Sequence, residues 1–159
     1  MPHDIALSLI LVAAAAMMPP ADGVLSARAT GTFDVVVKPL PSDDNADDGT
    51  SGRLSLSKQF HGDLAGTSKG QMLGAQTGVE GSAAYVAIER ISGTLNGRTG
   101  TFVLQHSGTM SKKAGMQLRI AVVPDSGTGQ LTGLAGEMTI TITGKLHSYE
   151  FAYTLPKQQ

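Results

Sequence analysis

Apolar and polar residues alternate along much of the chain, and the alternation is clearest between residues 53 and 61. One face of that stretch holds the larger side chains, Leu54, Leu56, Lys58 and Phe60. The other face holds Ser55, Ser57, Gln59 and His61. A period of two is typical of a β-strand with one buried face. The stretch is therefore predicted as a strand whose Lys58 points inward together with the apolar residues.

Runs of the same kind continue from residue 30 to residue 155, and turn-forming residues separate them. No run shows the spacing of a helix of useful length. The predicted strands cover residues 30–38, 53–61, 64–73, 79–90, 101–105, 118–123, 137–143 and 146–155. A polar loop is predicted at residues 107–115, before the sixth strand. The chain is thus predicted to be all-β, with eight strands.

One glycine pattern occurs twice, at residues 93–100 and 129–136. Both copies fit G-x-L-x-G-x-x-G, and each lies between two predicted strands. Glycine reaches positive φ without steric cost, so both copies are predicted as wide hairpin turns whose leucine folds back as a plug. Consecutive hairpins predict a single antiparallel, up-and-down β-barrel. An eight-stranded barrel encloses either packed side chains or one small-molecule cavity.

Composition removes several classes of function. Aromatic residues make up 4% of the 159 residues and tryptophan is absent, which argues against a stacking surface for single-stranded nucleic acid. The net charge is −1 and the basic residues are scattered, so the chain has no basic stripe for a phosphate backbone. The absence of cysteine excludes disulfides, Fe–S clusters and a thiol nucleophile. No nucleic-acid partner is expected.

The chain offers no complete metal or cofactor motif. Its four histidines lack the H-x-H and H-E-x-x-H spacings of zinc sites, and no glycine-rich nucleotide loop leads into a helix. Asp43, Asn45 and Asp47 resemble the start of an EF-hand loop, but the glycine at position six is missing and position twelve is Leu54. We interpret this segment as a solvated loop, with a weak cation site as the alternative. Neither a metal nor a cofactor is expected.

The N-terminal segment favours export. Residues 5–18 form an apolar run that is too short to span a bilayer comfortably and has the length of a signal-peptide core. A small-x-small pattern ending at Ala29 would leave a mature domain of residues 30–156 and a tail of residues 157–159. The expected location is the periplasm or the outside of the cell. Since residues 1–4 carry no Lys or Arg, the alternative is a non-domain extension on a cytoplasmic protein.

Six segments of the sequence are distinctive: residues 57–64 (SKQFHGDL), 67–70 (TSKG), 85–90 (YVAIER), 102–108 (FVLQHSG), 123–129 (VPDSGTG) and 149–151 (YEF). Together they resemble a bacterial domain-of-unknown-function family whose fold is similar to the allene oxide cyclase barrel. The twin glycine turns are also similar to those of allene oxide cyclases and dirigent proteins. The resemblance implies an eight-stranded barrel that often forms homo-oligomers and has a pocket at one end. It implies no settled reaction.

Strand parity identifies three ionisable side chains for the interior of the barrel. Lys58 lies on the apolar face of its strand, and one of the two parities of the fourth strand points Glu89 inward. With His106 from the fifth strand, these side chains would form a proton-transfer cluster in an apolar cavity. The opposite parity buries Val86 and Ile88 and leaves Glu89 at the surface. For Lys58 the alternative is an ion pair at the mouth of the barrel.

Four larger side chains are predicted to hold a ligand in that cavity, and antiparallel register would place one of them, Tyr85, near His106. They are Phe60, Tyr85, Phe102 and Leu104. The first hypothesis is a barrel that binds a small apolar or amphipathic molecule. The second, from the resemblance, is a cofactor-independent cyclase or isomerase in which Glu89 or His106 shifts a proton or stabilises charge. The third is a structural, oligomeric barrel without a ligand.

Overall fold

The computed structural model describes residues 23–41 and 51–157, and within them the chain forms eight strands and one short 3-10 helix. The strands are β1 (Val24–Pro39), β2 (Ser51–Gly62), β3 (Leu64–Gln76), β4 (Ala83–Leu95), β5 (Arg98–Ser111), β6 (Gly115–Val122), β7 (Ala135–Thr143) and β8 (Leu146–Pro156). The 3-10 helix, Gly129–Leu131, lies before β7. The predicted cation loop at residues 43–47 and the apolar run at residues 5–18 lie outside the described residues.

The strands form one closed antiparallel barrel. Each strand pairs with the next along the chain, and β8 returns to pair with β1. Closure removes the unpaired sheet edges that would otherwise be exposed to solvent or to other chains. The predicted all-β fold, a single eight-stranded up-and-down barrel, is confirmed.

Strands β1 and β5 extend furthest beyond the ranges that the sequence pattern predicts. Strand β1 begins at Val24 rather than at Thr30, and its residues 24–33 pair with β8. Ala29 is fully buried there. Strand β5 continues to Ser111 and pairs with β6 as far as Gly115, so the prediction of a loop over residues 107–115 is wrong. The run is rich in serine, glycine and threonine, and ladder hydrogen bonds rather than apolar side chains hold it in the sheet.

The barrel has two unlike ends, which we call the closed end and the open end. The closed end contains the start of β1, the end of β8, the β2–β3 and β4–β5 turns and residues 123–134. Four leucines from these segments are fully or almost fully buried and fill it: Leu64, Leu95, Leu131 and Leu134. The Leu64 N–H donates to Tyr149 Oη at 2.8 Å, and Asn96 Nδ2 donates to Tyr153 Oη at 2.9 Å. The opposite, open end contains the β3–β4, β5–β6 and β7–β8 turns.

The two copies of the glycine pattern fold differently. In the first copy, Asn96 and Gly97 have φ of 46° and 81° and form a two-residue turn between β4 and β5. Two successive positive φ values match the right-handed twist of a hairpin. The second copy starts with the 3-10 helix and leads into β7, and its longer connection still joins two antiparallel strands, β6 and β7, through the wide turn that the pattern predicts. The leucines of both copies are buried at the closed end, as the plug interpretation predicted.

Candidate functional site

The parity of β4 places Glu89 inside the barrel. Glu89 and Ala87 are buried, whereas Val86 and Ile88 lie on the outer wall and are more than half exposed. The sequence left both parities open because both faces of β4 carry apolar residues. The inward parity is the correct one, and Glu89 therefore needs polar partners in the interior.

Three neighbouring strands supply those partners. Lys58 Nζ donates to Glu89 Oε2 at 2.8 Å, and Ser68 Oγ donates to Glu89 Oε1. His106 Nε2 lies 2.9 Å from Glu89 Oε2, but the contact lacks hydrogen-bond direction, and this nitrogen has no hydrogen-bond partner among the described residues. All four side chains are buried. We call these residues, Lys58, Ser68, Glu89 and His106, the ionic cluster.

The ionic cluster holds Glu89 in its charged form. Burial by itself raises the pKa of this carboxyl group, but the contacts with His106, Lys58 and Ser68 favour the anion and lower the pKa from 4.5 to about 2. The Lys58 ammonium group also lies over the rings of Phe33 and Phe60, 4.9 and 5.7 Å from their centroids. The electron-rich ring faces compensate part of the lost hydration of the ammonium group.

Backbone register brings the cluster together. Lys58 pairs with Ser68 across β2 and β3, and Glu89 pairs with Gly70 across β3 and β4. A Cβ atom on Gly70 would lie 2.4 Å from the Ile88 carbonyl oxygen and 2.9 Å from Glu89 Cα. Only glycine allows β3 to approach β4 so closely. Ser68 was missed from the sequence because many serines and threonines lie on the outer faces of the strands, and nothing in its spacing separates it from them.

Tyr85 lies on the inner face between the cluster and the open end. Tyr85 pairs with Gly108, whereas His106 pairs with Ala87. Tyr85 and His106 were expected to be neighbours, but Tyr85 lies one inward-facing position further towards the open end. The Tyr85 ring occupies the space that a side chain at position 108 would need. Burial raises the pKa of Tyr85, and the charge of Glu89 raises it further. Tyr85 therefore remains protonated at neutral pH.

The other three residues predicted to hold a ligand lie in the packed core. Phe60 is 1% exposed, and Phe102 and Leu104 are not exposed at all, so neither of the latter lines a space large enough for water. Phe102 stacks on Phe151 with ring centroids 5.8 Å apart. The interior is therefore densely filled from the closed end up to the ionic cluster.

The open end, in contrast, leaves large apolar side chains of the inner face in contact with solvent. Val37, Met110, Met116 and Ile142 are 45%, 38%, 52% and 56% exposed. We call these residues the apolar rim. A depression of about 340 Å³ begins beside the rim and is lined by Leu54, Met72, Gly74, Ala83, Tyr85 and Met110, among others. Apolar walls above a few polar groups are typical of a small-molecule site.

Larger depressions lie on the outer wall. One of about 540 Å³ contains Leu73, Val86 and Arg119, and another of about 400 Å³ contains Ile88 and Gln105. Most of their lining residues have outward parity, so these grooves do not reach the ionic cluster.

Within residues 23–41 and 51–157, no group of histidine and acidic side chains is arranged to hold a metal ion. No helix in this part of the chain is long and apolar enough to span a membrane.

The fold and the site define a small closed antiparallel barrel with a buried ionic cluster below one open, apolar end. The chain belongs to the DUF3224 family of proteins of unknown function, whose profile matches residues 29–153. It is similar to the crystal structure of a DUF3224-family protein of unknown function from Shewanella oneidensis MR-1. That protein is 44% identical, with a TM-score of 0.76 over 84% of this chain and 100% of that chain. A comparison with curated protein sequences gives no match.

Proposed function

We propose that the open end binds a small apolar or amphipathic molecule. The observation that carries the proposal is the apolar rim, because its four side chains have inward parity and are nevertheless exposed. Exposed apolar surface in a concave site favours an occupant that removes it from water, by about 25 cal/mol per Å². Since leucines fill the closed end, the ligand would enter through the open end.

The composition of the rim supports a ligand of adaptable shape. Met110 and Met116 lie on the rim, and Met72 lines the adjoining depression. Methionine is unbranched and polarisable, so its side chain repacks around different apolar partners at little cost. The ionic cluster below would then face the polar end of an amphipathic ligand.

A matched pair of substitutions tests this function. Ile142 on the rim and Ile88 on the outer wall are equally exposed, at 56% and 55%. The binding of N-phenyl-1-naphthylamine, an uncharged dye whose fluorescence rises in apolar sites, is titrated in the wild type, Ile142→Asp and Ile88→Asp. We expect saturable binding that Ile142→Asp weakens at least about tenfold, since the new carboxylate must lose water, and that Ile88→Asp leaves unchanged.

Either of two results would contradict the proposal. The first is equal weakening by the two substitutions, which would move the dye site to the outer wall or make the effect non-specific. The second is the absence of saturable dye binding together with a ligand-free mass in native mass spectrometry, which would favour the structural barrel.

One observation favours a second candidate, a cofactor-independent cyclase or isomerase. His106 Nε2 lies beside a carboxylate, is buried and has no hydrogen-bond partner among the described residues, which suits a group that gains or loses a proton during a reaction. The test uses a ligand that co-purifies with the protein. Conversion that Glu89→Gln abolishes without weakening ligand binding would support this candidate, and an unchanged ligand in the wild type would exclude it for that compound.

A further inference from the structure

We propose that the ligand of the open end is a monocarboxylate with an apolar tail, and that Lys58 and His106 bind its carboxylate. The inference rests on the proposed function and adds the chemical class of the ligand. It follows from the hydrogen-bond donors and acceptors of the ionic cluster and from the side of the cluster that faces the open end.

The acceptors of the cluster are already occupied. Glu89 Oε1 accepts from Ser68, and Glu89 Oε2 accepts from Lys58. A ligand that donates hydrogen bonds, such as an ammonium group, would have to displace one of these contacts. It would also meet the ammonium group of Lys58, which has the same charge.

Donors, in contrast, remain available. An ammonium group has three N–H bonds, and Lys58 directs one of them to Glu89. A contact of 2.9 Å between His106 Nε2 and a carboxylate oxygen is favourable only when the nitrogen carries the proton, so Nε2 is a buried donor without an aligned acceptor. Because both donors are within 2.9 Å of the same Glu89 oxygen, they lie close together, and a second carboxylate that approached them from the side away from Glu89 could accept from both.

The position of Lys58 shows how such a head group would arrive. Lys58 is the most exposed member of the ionic cluster, at 8%, and its flexible stem can move the ammonium group towards the open end. The side chains between the cluster and the rim are mainly apolar and would surround the tail.

The test compares three probes with the same ten-carbon chain, decanoate, decan-1-ol and decylammonium, each displacing N-phenyl-1-naphthylamine from the protein at neutral pH. We expect decanoate to bind at least about tenfold more tightly than decan-1-ol, because its carboxylate accepts stronger, charge-assisted hydrogen bonds than a neutral hydroxyl group does. Decylammonium should bind most weakly. Lys58→Met should reduce the ratio of decanoate to decan-1-ol affinity to near one.

Two further variants keep the test decisive. Lys69→Met, which removes an exposed lysine of the outer wall, should leave the ratio unchanged. If Lys58→Met does not fold, Lys58→Met/Glu89→Leu removes both buried charges and should also bring the ratio near one. Equal affinities of the wild type for decanoate and decan-1-ol, with both displacing the dye, would overturn the carboxylate and leave the binding function standing. Failure of all three probes and of the dye to bind would overturn both.

Discussion

The closed and open ends of this barrel are built from the same eight strands and the same alternation of side chains. Large apolar residues are nevertheless buried at the closed end and exposed at the open end. At the closed end, leucines from turns and loops fold over the interior, and tyrosine hydroxyl groups hold the turns in place. At the open end, Val37, Met110, Met116 and Ile142 keep inward parity, and no residue of the ranges 23–41 and 51–157 buries them.

The difference separates a region that contributes to stability from the region to which we assign the proposed binding. The closed end hides its apolar surface and so contributes to the free energy of folding, whereas the open end leaves apolar surface exposed that a ligand could bury. The ionic cluster lies at the boundary. The filled core provides its low-polarity surroundings, and Lys58, its most exposed member, is 8% exposed.

The largest effect should come from breaking the ionic cluster at that boundary. Glu89→Leu leaves the Lys58 ammonium group buried without its carboxylate, and we expect it to lower the free energy of unfolding by about 3–5 kcal/mol. Lys58→Met/Glu89→Leu removes both charges and should recover most of that loss. Urea unfolding of the wild type and the two variants measures both values.

The double variant serves as the control, because it shows whether the cost arises from an unpaired charge or from altered packing. If the double variant is as unstable as Glu89→Leu, the shape of the cluster matters more than its charge. The ionic cluster would then belong with the packed core of the closed end.

A smaller effect should appear on acidification. The pKa of Glu89 is lowered to about 2 in the folded protein from 4.5, so its contribution to stability is fully present above pH 4.5 and is lost as the pH falls from 4.5 towards 2. The shift corresponds to a loss on the order of 3 kcal/mol. Urea unfolding between pH 6 and pH 2 measures it.

Lys58→Met/Glu89→Leu lacks this carboxyl group and should lose correspondingly less stability over the same range. A wild type and a double variant with parallel pH profiles would mean that the pKa of Glu89 is not lowered by folding.

The smallest effect should come from making the same substitution, isoleucine to valine, once in the packed core and once on the apolar rim. Ile91 is fully buried in the core and Ile142 lies on the apolar rim. Ile91→Val should cost about 0.5–1.5 kcal/mol, because it leaves a small cavity, and Ile142→Val should cost close to nothing. Thermal or urea unfolding measures both. Equal costs would show that the rim is packed as tightly as the core in solution.

Much of the fold could be predicted from the sequence because apolar and polar residues alternate along a half-buried strand. The alternation around Lys58 correctly predicts which face of β2 is buried. The parity of β4 could not be decided in this way, since Val86 and Ile88 are as apolar as a buried face would require. The polar partners of Glu89 decide it, and they come from residues distant in sequence, which local periodicity does not reveal.

The candidate site was harder to predict than the fold. The sequence predicts that Lys58, Glu89 and His106 meet, and they do. It also predicts that Phe60, Phe102 and Leu104 line a cavity, but these side chains fill that space themselves. Whether an inward aromatic residue lines a cavity or fills it depends on its depth in the barrel. That depth is set by the stagger between neighbouring strands, which cannot be read from the alternation of apolar and polar residues.

The early start of β1 has a consequence for how the chain could be processed. Residues 24–29 supply the backbone partners of β8 from Phe151 to Pro156. A peptidase that cut after Ala29 would take away this length of ladder, leave the end of β8 as an unpaired edge and open the barrel wall beside Leu155. A secreted form that keeps the barrel intact would therefore have to be cut before Val24, and the mass of its first residues would reveal the position.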